Sequence, residues 1–183
     1  MKKLFLFAAF MIPLLVNAQA KQDPFNYKAQ DRYLYYGDVV KVDTSFTVMD
    51  LYKDAKIFIT KLALSNTKIT TDDSKGGTII ANIEEPTTYK TETGISDDPM
   101  TLKYNIKLEL KKGRYRYTID SIEVSYTDNG KMQSLSLYDM DKEKKGGIIG
   151  VGKGKRMLKA MDASFLKKIE LLTTTMSKRS DDF

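Results

Sequence analysis

The side chains of this chain that could do chemistry are carboxylates, lysines and tyrosines, because the sequence contains neither histidine nor cysteine. Their absence removes histidine general bases, serine–histidine and cysteine–histidine nucleophile pairs, and the usual ligands of zinc, haem and iron–sulfur clusters. An enzyme built on this chain would have to use carboxylates, lysine, tyrosine, or a metal held by oxygen alone. The composition therefore favours a protein that is not an enzyme and that needs no cofactor.

Two pairs of adjacent carboxylates could form an acid–base dyad or a metal site with oxygen ligands. They are Asp72-Asp73 and Asp97-Asp98. Neither follows the spacing of a calcium loop, which alternates its ligands and ends in a distant glutamate. Adjacent carboxylates are common turn formers, and we predict that role for both pairs, with no metal and no catalytic residue.

A glycine-rich and lysine-rich loop is predicted over residues 127–155. The run Gly147–Gly154 is close to a phosphate-binding loop, but Gly154 stands where that loop needs Ser or Thr to hold magnesium. A solvated loop is the simpler interpretation. The alternative is that its cations, with Lys153, Lys155 and Arg156 as candidate contacts, bind an anionic lipid or glycan surface.

The positive charge is concentrated in one segment. Lys142–Lys159 carries seven cations and one glutamate, whereas the formal charge of the whole chain is +6, with Lys2 and Lys3 included. The rest of the chain is therefore slightly acidic. Since overall basicity does not belong to the domain, we expect no nucleic-acid partner.

A second set of candidate contacts lies on a predicted pair of strands. In Thr101–Leu110 apolar and polar residues alternate, which is typical of a half-buried strand. The alternation places Lys103, Lys107, Arg114 and Arg116 on the solvent face. They form either a recognition surface for a polar or acidic ligand or ordinary cross-strand ion pairs. Parity places three tyrosines in the core, and these are Tyr104, Tyr115 and Tyr117.

The returning strand changes phase. Tyr115, Tyr117 and Ile119 share one parity, while Ile122 and Val124 share the other. A period of two can shift only where one residue is left unpaired, so we predict a β-bulge near Asp120-Ser121.

The remaining elements follow from periodicity. Tyr33–Val42 is rich in aromatic and β-branched residues and predicts a strand, with Gly37 as a candidate bulge. Thr47 and Asp50 form a capping-box-like start for a helix over Val48–Leu62. Short strands are predicted at Lys68–Thr71 and Thr78–Ile83, then a long loop over Glu84–Pro99. An apolar stripe from Met157 to Met176 predicts a closing helix that ends near Lys178-Arg179.

The first residues indicate export. Lys2 and Lys3 precede thirteen uncharged residues, and Val16-Asn17-Ala18 offers a cleavage site for signal peptidase. We predict a signal peptide over 1–18, with Ala20 as the alternative cleavage site, then a flexible lead-in over 19–32. A single domain follows over 33–178 and a tail over 179–183. After cleavage the protein is not expected to span a membrane.

The predicted order of elements is one strand, one helix, four strands and one helix, which is an α+β class fold. Together with the exported start and the hairpin LKKGRYRYTIDSIEV from Leu110 to Val124, this order resembles a family of secreted proteins of Bacteroides-like bacteria. That family is the domain of unknown function number 4468, with a TATA-box-binding-protein-like fold. The likeness covers Tyr33 to Tyr126 and rests on the helix start at Asp50-Leu51-Tyr52 and the strand Arg114–Tyr117.

The resemblance implies one curved antiparallel sheet backed by two helices. It supplies no catalytic residue, and it does not imply DNA binding, because fold does not determine function. The sequence thus predicts an exported, non-enzymatic binding module of the cell envelope, whose partner is an envelope protein, a glycan or an anionic lipid. The alternatives are an envelope-associated hydrolase using carboxylates and an adaptor that binds an anionic surface through the basic loop.

Overall fold

The computed structural model describes residues 25–30, 33–62, 66–143 and 151–177. Within these residues the chain forms seven strands and three helices. In chain order they are β1 (Lys28–Gln30), β2 (Tyr33–Lys41), α1 (Val48–Leu62), β3 (Asn66–Asp73), β4 (Thr78–Lys90), β5 (Asp97–Lys111), β6 (Arg114–Asp128), β7 (Lys131–Ser136), α2 (Leu137–Glu143) and α3 (Val151–Ser177). The predicted signal peptide and tail lie outside the described residues.

The strands form one antiparallel sheet in the order β1-β2-β6-β5-β4-β3. β2 pairs with the first half of β6, and β7 pairs with the second half. α1 and α3 pack against each other and against the sheet. This confirms the predicted α+β fold, in which helices back a curved antiparallel sheet. The structure adds two short strands, β1 and β7, and one short helix, α2.

α1 begins and ends at the predicted residues because its first turn is capped from both sides. The amide of Thr47 donates to Asp50 Oδ2 (2.9 Å), and the amide of Asp50 donates to Thr47 Oγ1 (3.2 Å). This reciprocal pair satisfies two amides that a helix start leaves without intrahelical partners. The apolar stripe of α1, at Leu51, Ala55 and Phe58, is buried against the sheet.

The core lies between the sheet and the two long helices. The ring of Phe165 on α3 lies 5.0 Å from the ring of Tyr36 and 4.9 Å from that of Tyr104. Tyr104, Tyr115 and Tyr117 are all buried, as their parity predicted. Each large side chain buried in this way contributes about 2 kcal/mol to folding. The stripe of α3 is buried with them, at Met157, Leu158, Met161, Phe165, Leu172 and Met176.

The predicted bulge is present. Ser121 and Ile122 of β6 together face the single residue Tyr104 of β5. Ser121 adopts the left-handed conformation with φ of 52°, which costs a non-glycine residue about 1 kcal/mol. The extra residue lets both Ile119 and Ile122 face the core.

The loop predicted over Glu84–Pro99 is too long, because only residues 91–96 lie outside the strands. β4 continues to Lys90 and pairs with β5 along this length, and Pro86 lies opposite Thr101. β3 pairs with β4 only as far as Glu84. Because no described strand lies on the outer side of β4 beyond that point, a proline is tolerated there.

The loop predicted over 127–155 is also wrong, although residues 144–150 lie outside the described part of the chain. β6 turns into β7 through Asn129-Gly130, and both residues have positive φ, 48° and 74°. Such a pair fits the tight turns that join antiparallel strands. α2 then begins at a cap in which the amide of Asp139 donates to Ser136 Oγ (3.1 Å).

Two smaller predictions also fail. Part of the lead-in is ordered, because β1 pairs with the start of β2. Gly37 is not a bulge, since it lies in regular register opposite Thr118. Its role is close packing, because a Cβ at this position would lie 2.9 Å from the carbonyl oxygen of Tyr117.

Candidate functional site

The side of the sheet turned away from α1 and α3 carries polar and charged side chains, and we call it the open face. Its members alternate along each strand with the buried residues. Lys103, Lys107, Arg114 and Arg116 lie here, where their parity placed them. The main members are Tyr33, Tyr35, Gly37, Val39 and Lys41 of β2, Arg114, Arg116, Thr118 and Asp120 of β6, Lys103, Asn105, Lys107, Glu109 and Lys111 of β5, and Ile80, Asn82 and Glu84 of β4.

Some of these cations form ion pairs with neighbouring carboxylates. Lys107 Nζ lies 3.1 Å from Glu109 Oε1, and Arg116 Nη1 lies 3.9 Å from Glu109 Oε2. Lys103 Nζ lies 3.5 Å from Glu84 Oε2 on the adjacent strand. Exposed pairs of this kind contribute less than about 1 kcal/mol each. They offset two of the three positive charges in the middle of the open face.

One end of the open face keeps its positive charge. Lys41 of β2 lies directly opposite Arg114 of β6, and Arg114 lies directly opposite Lys111 of β5. We call these three residues the cation row. None of them forms an ion pair with any residue that the structure describes. Like charges directly opposite each other destabilise a sheet, so folding does not explain the row.

The cation row borders a cavity. Its volume is about 170 Å³, and its lining includes Lys111, Arg114 and Arg116. Glu109 also lines the cavity, and its carboxylate is shared between Lys107 and Arg116. The cavity therefore keeps a net positive lining.

The opposite end of the open face is lined by amides, and we call it the amide trough. Asn66, Asn82 and Asn105 line a groove of about 370 Å³ together with Ser121 of the bulge and the charged side chains of Lys68, Lys103 and Glu84. Asn105 donates to Asp120 Oδ1 through Nδ2 (3.3 Å). A side-chain amide can both donate and accept, so the trough can bind neutral polar groups.

Two tyrosines of β2, the exposed Tyr33 and the half-buried Tyr35, lie beside the trough. The rings of Tyr33 and Tyr35 lie 5.6 Å apart, and Tyr33 is 46% exposed. Burial and a hydrogen bond to Asp120 raise the pKa of Tyr33, so its hydroxyl stays protonated. A further groove of about 420 Å³ joins Tyr33 and Ser121 to the hydroxyls of Ser134 and Ser136.

The three cations predicted in the basic loop lie instead on the first turns of α3. Lys153 Nζ lies 2.6 Å from Asp128 Oδ1 and 4.6 Å from the centre of the Tyr126 ring. Burial lowers the pKa of Lys153, but these partners outweigh it and the net shift is upward. Lys155 is exposed and Arg156 is half-buried. The three side chains therefore differ in environment and do not form one solvated loop.

A half-buried cluster beneath α3 contains a serine and a lysine at the distance of a nucleophile–base pair. Lys168 Nζ lies 2.7 Å from Ser164 Oγ and 2.6 Å from Glu85 Oε1, and Tyr104 donates to Glu85 Oε2 (3.2 Å). Because Lys168 Nζ contacts Glu85 as closely as it contacts Ser164, the cluster links α3 to β4 through an ion pair.

The adjacent carboxylates are held by local partners. The hydrogen bond from Lys56 (2.7 Å) is the main cause that lowers the pKa of Asp72. Asp73 accepts two amides of the β3–β4 turn, as predicted for a turn former. The second pair begins β5 instead, where Asp97 pairs with Lys90 (2.7 Å). Among the described residues there is no acidic cluster that could hold a metal ion.

Comparison with known proteins bears on this fold. The family model for the domain of unknown function (DUF4468) with TBP-like fold matches residues 36–125. Over these residues the chain matches the DUF4468 family, and the predicted resemblance is confirmed. No curated protein matches the chain.

Two solved structures are similar in fold over most of the chain. A DUF4468 family protein from Bacteroides ovatus ATCC 8483 has a TM-score of 0.66 at 12% identity, over 85% of this chain and 93% of that one. A TBP-like protein from Parabacteroides distasonis ATCC 8503 has a TM-score of 0.65 at 14% identity, over 81% of this chain and 96% of that one. At such identities the likeness shows the fold alone.

The DUF4468 segment contains the whole cation row and all three asparagines of the amide trough, Asn66, Asn82 and Asn105. Tyr33 and the helix α3 lie outside it.

Sequence reasoning missed Lys41 and Lys111 as candidate contacts. Lys111 and Arg114 flank the turn at Lys112-Gly113, but Lys41 joins them only through the pairing of β2 with β6. Of the helices that the structure describes, none is long and apolar enough to cross a membrane.

Proposed function

We propose that the protein is an exported, non-enzymatic binding module of the cell envelope, and that its ligand binds the open face. The observation that carries this proposal is the cation row. It is a set of like charges held side by side at a cost to stability, next to a cavity and on the side of the sheet that the long helices leave uncovered. A negatively charged ligand would offset the repulsion among the three cations.

Binding is favoured over hydrolysis by the partners of the reactive side chains. A carboxylate hydrolase needs acidic groups that converge in a pocket. Here Asp72 and Asp97 are paired with lysines, and the lysine beside Ser164 is itself paired with Glu85. An adaptor that binds an anionic surface through these cations is less favoured, because Lys153 Nζ is already paired with Asp128.

Export is supported by the sequence of the first twenty residues. We expect the protein recovered from the envelope fraction to begin at Gln19, because Ala18 ends a small-residue cleavage pattern. N-terminal sequencing and intact mass measurement check this. A start at Lys21 would correspond to cleavage after Ala20 and would still mean export. A cytosolic protein that retains Met1 and the following residues would contradict it.

A bulky residue at the centre of the open face tests the binding site. Thr118 lies opposite Gly37 on one side and Lys107 on the other, so Thr118→Trp has room to cover the face without changing its charge. The matched control is Ala163→Trp, at an exposed position on α3. We expect Thr118→Trp to lower capture of envelope material by at least about tenfold, as for a blocked interface centre.

The measurement uses immobilised protein and a solubilised envelope fraction, with bound protein, carbohydrate and lipid quantified separately. Wild type and Ala163→Trp should retain the same component. Equal capture by Thr118→Trp would contradict the proposal, as would a failure of the wild type to capture anything. Near-UV circular dichroism confirms that both variants are folded.

A further inference from the structure

Resting on the proposed function, we infer that the ligand of the open face is an acidic glycan. Its carboxylate or sulfate groups would contact the cation row, and its hydroxyls and sugar rings would contact the amide trough and the tyrosines beside it.

The anionic part of the ligand is indicated by the cation row. Lys41, Arg114 and Lys111 stand on three adjacent strands in direct register. Arg116 and the cavity of about 170 Å³ lie next to them. Guanidinium groups bind carboxylate and sulfate oxygens through two parallel hydrogen bonds, and lysines add point charge. The arrangement therefore suits an oxyanion on an elongated chain.

The neutral part of the ligand is indicated by the other end of the face. Asn66, Asn82 and Asn105 offer donors and acceptors together, which is what vicinal hydroxyls require. The exposed ring of Tyr33, 5.6 Å from that of Tyr35, offers a flat apolar surface with a polar edge. Such rings pack on the C–H faces of molecules that are apolar on one side and polar on the other.

A single ligand that contacts both the cation row and the amide trough must be an extended polymer. Asn105 and Lys111 lie six positions apart on β5, which corresponds to about 20 Å at ~3.3 Å per residue. One small molecule cannot contact both ends. A chain that carries charges and hydroxyls in alternation can do so.

Other polymers fit less well. A peptide binds a sheet mainly through an unpaired strand edge or apolar pockets, whereas the main aliphatic side chains on this face are Val39 and Ile80. Single-stranded nucleic acid needs cations along the whole groove. Here Lys103 is paired with Glu84, and Asp120, which accepts from Asn105, adds a second carboxylate that would repel phosphates.

Binding is measured by isothermal titration calorimetry at low salt on the purified full protein. The anionic probes are polygalacturonate and dextran sulfate, and unmodified dextran has the same backbone as dextran sulfate without its charge. Poly-glutamate, single-stranded DNA and anionic vesicles represent the other classes. We expect both acidic glycans to bind, dextran to bind at least about tenfold more weakly, and the affinity for the acidic glycans to fall as salt rises.

Three variants assign the contacts. Lys41→Gln/Lys111→Gln/Arg114→Gln should weaken acidic-glycan binding at least about tenfold, since three cations near the anion are lost. Lys53→Gln/Lys61→Gln/Lys159→Gln removes three charges from exposed positions on the helices and should change it less than about twofold. Tyr33→Ala/Asn82→Ala should weaken the acidic glycans but leave any binding of poly-glutamate unchanged.

The outcomes separate this inference from the function on which it rests. Equal losses in the two triple variants would overturn it, because binding would then follow net charge alone. Tighter binding of poly-glutamate, DNA or vesicles would overturn the glycan assignment, as would no binding of either acidic glycan. If Thr118→Trp still binds every probe as the wild type does, the open face itself is not the site and the proposed function fails.

Discussion

Replacing Ile106 with aspartate is expected to unfold the protein. Ile106 is 1% exposed and lies between Ala81 and Ile119 in the centre of the sheet. A carboxylate there would lack a partner, and the loss should exceed about 4 kcal/mol, most of the stability of an ordinary domain. Circular dichroism and tyrosine fluorescence, usable because the chain has eleven tyrosines and no tryptophan, report the folded state.

The matched control is Thr118→Asp, which places the same carboxylate on the opposite face of the neighbouring strand. Thr118 lies opposite Lys107, so the new charge has solvent and a cation beside it. We expect its midpoint of denaturation to stay close to that of the wild type. A cooperative, wild-type-like transition for Ile106→Asp would show that the assignment of the two faces is wrong.

Removing the carboxylate of Glu85 is expected to have the second largest effect. Its partner Lys168 lies 2.6 Å away, and the two side chains are 16% and 12% exposed. Glu85→Ala leaves an ammonium without its counter-charge under α3 and frees the hydroxyl of Tyr104. The free energy of unfolding should fall by about 3 kcal/mol, the lower range for breaking a buried ion pair.

Urea denaturation of the single and double variants checks this interpretation. Glu85→Leu/Lys168→Met replaces both charges with apolar groups of similar size and should recover much of the stability lost in either single variant. Additive losses in the double variant would contradict a coupled pair. The closeness of Glu85 and Lys168 would then need an explanation other than stability.

The sequence predicts those elements whose signals are local. α1 is located to the residue because Thr47 and Asp50 cap it and its apolar stripe is regular. The bulge is located because the apolar parity changes between Ile119 and Ile122, and two residues must then oppose one. The solvent face is located by the same alternation, which places Arg114 and Arg116 correctly.

The elements that the sequence misses depend on distant partners. β4 continues through Glu85 and Pro86 only because β5 pairs with it there, and β3 has already ended. β1 and β7 are short and polar, since they lie at edges of the sheet. Lys41 joins the cation row through the pairing of β2 with β6, which no local pattern specifies.

Lysine reactivity measures most directly whether the open face is the binding surface. The protein is acetylated with and without a solubilised envelope fraction, and modification is quantified by mass spectrometry at each lysine. We predict that Lys41, Lys107 and Lys111 become protected while Lys53 and Lys159 on the helices react as before. Two results would contradict a ligand site on the open face. One is protection of the helix lysines alone, and the other is a reactivity at all five lysines that does not change when the envelope fraction is added.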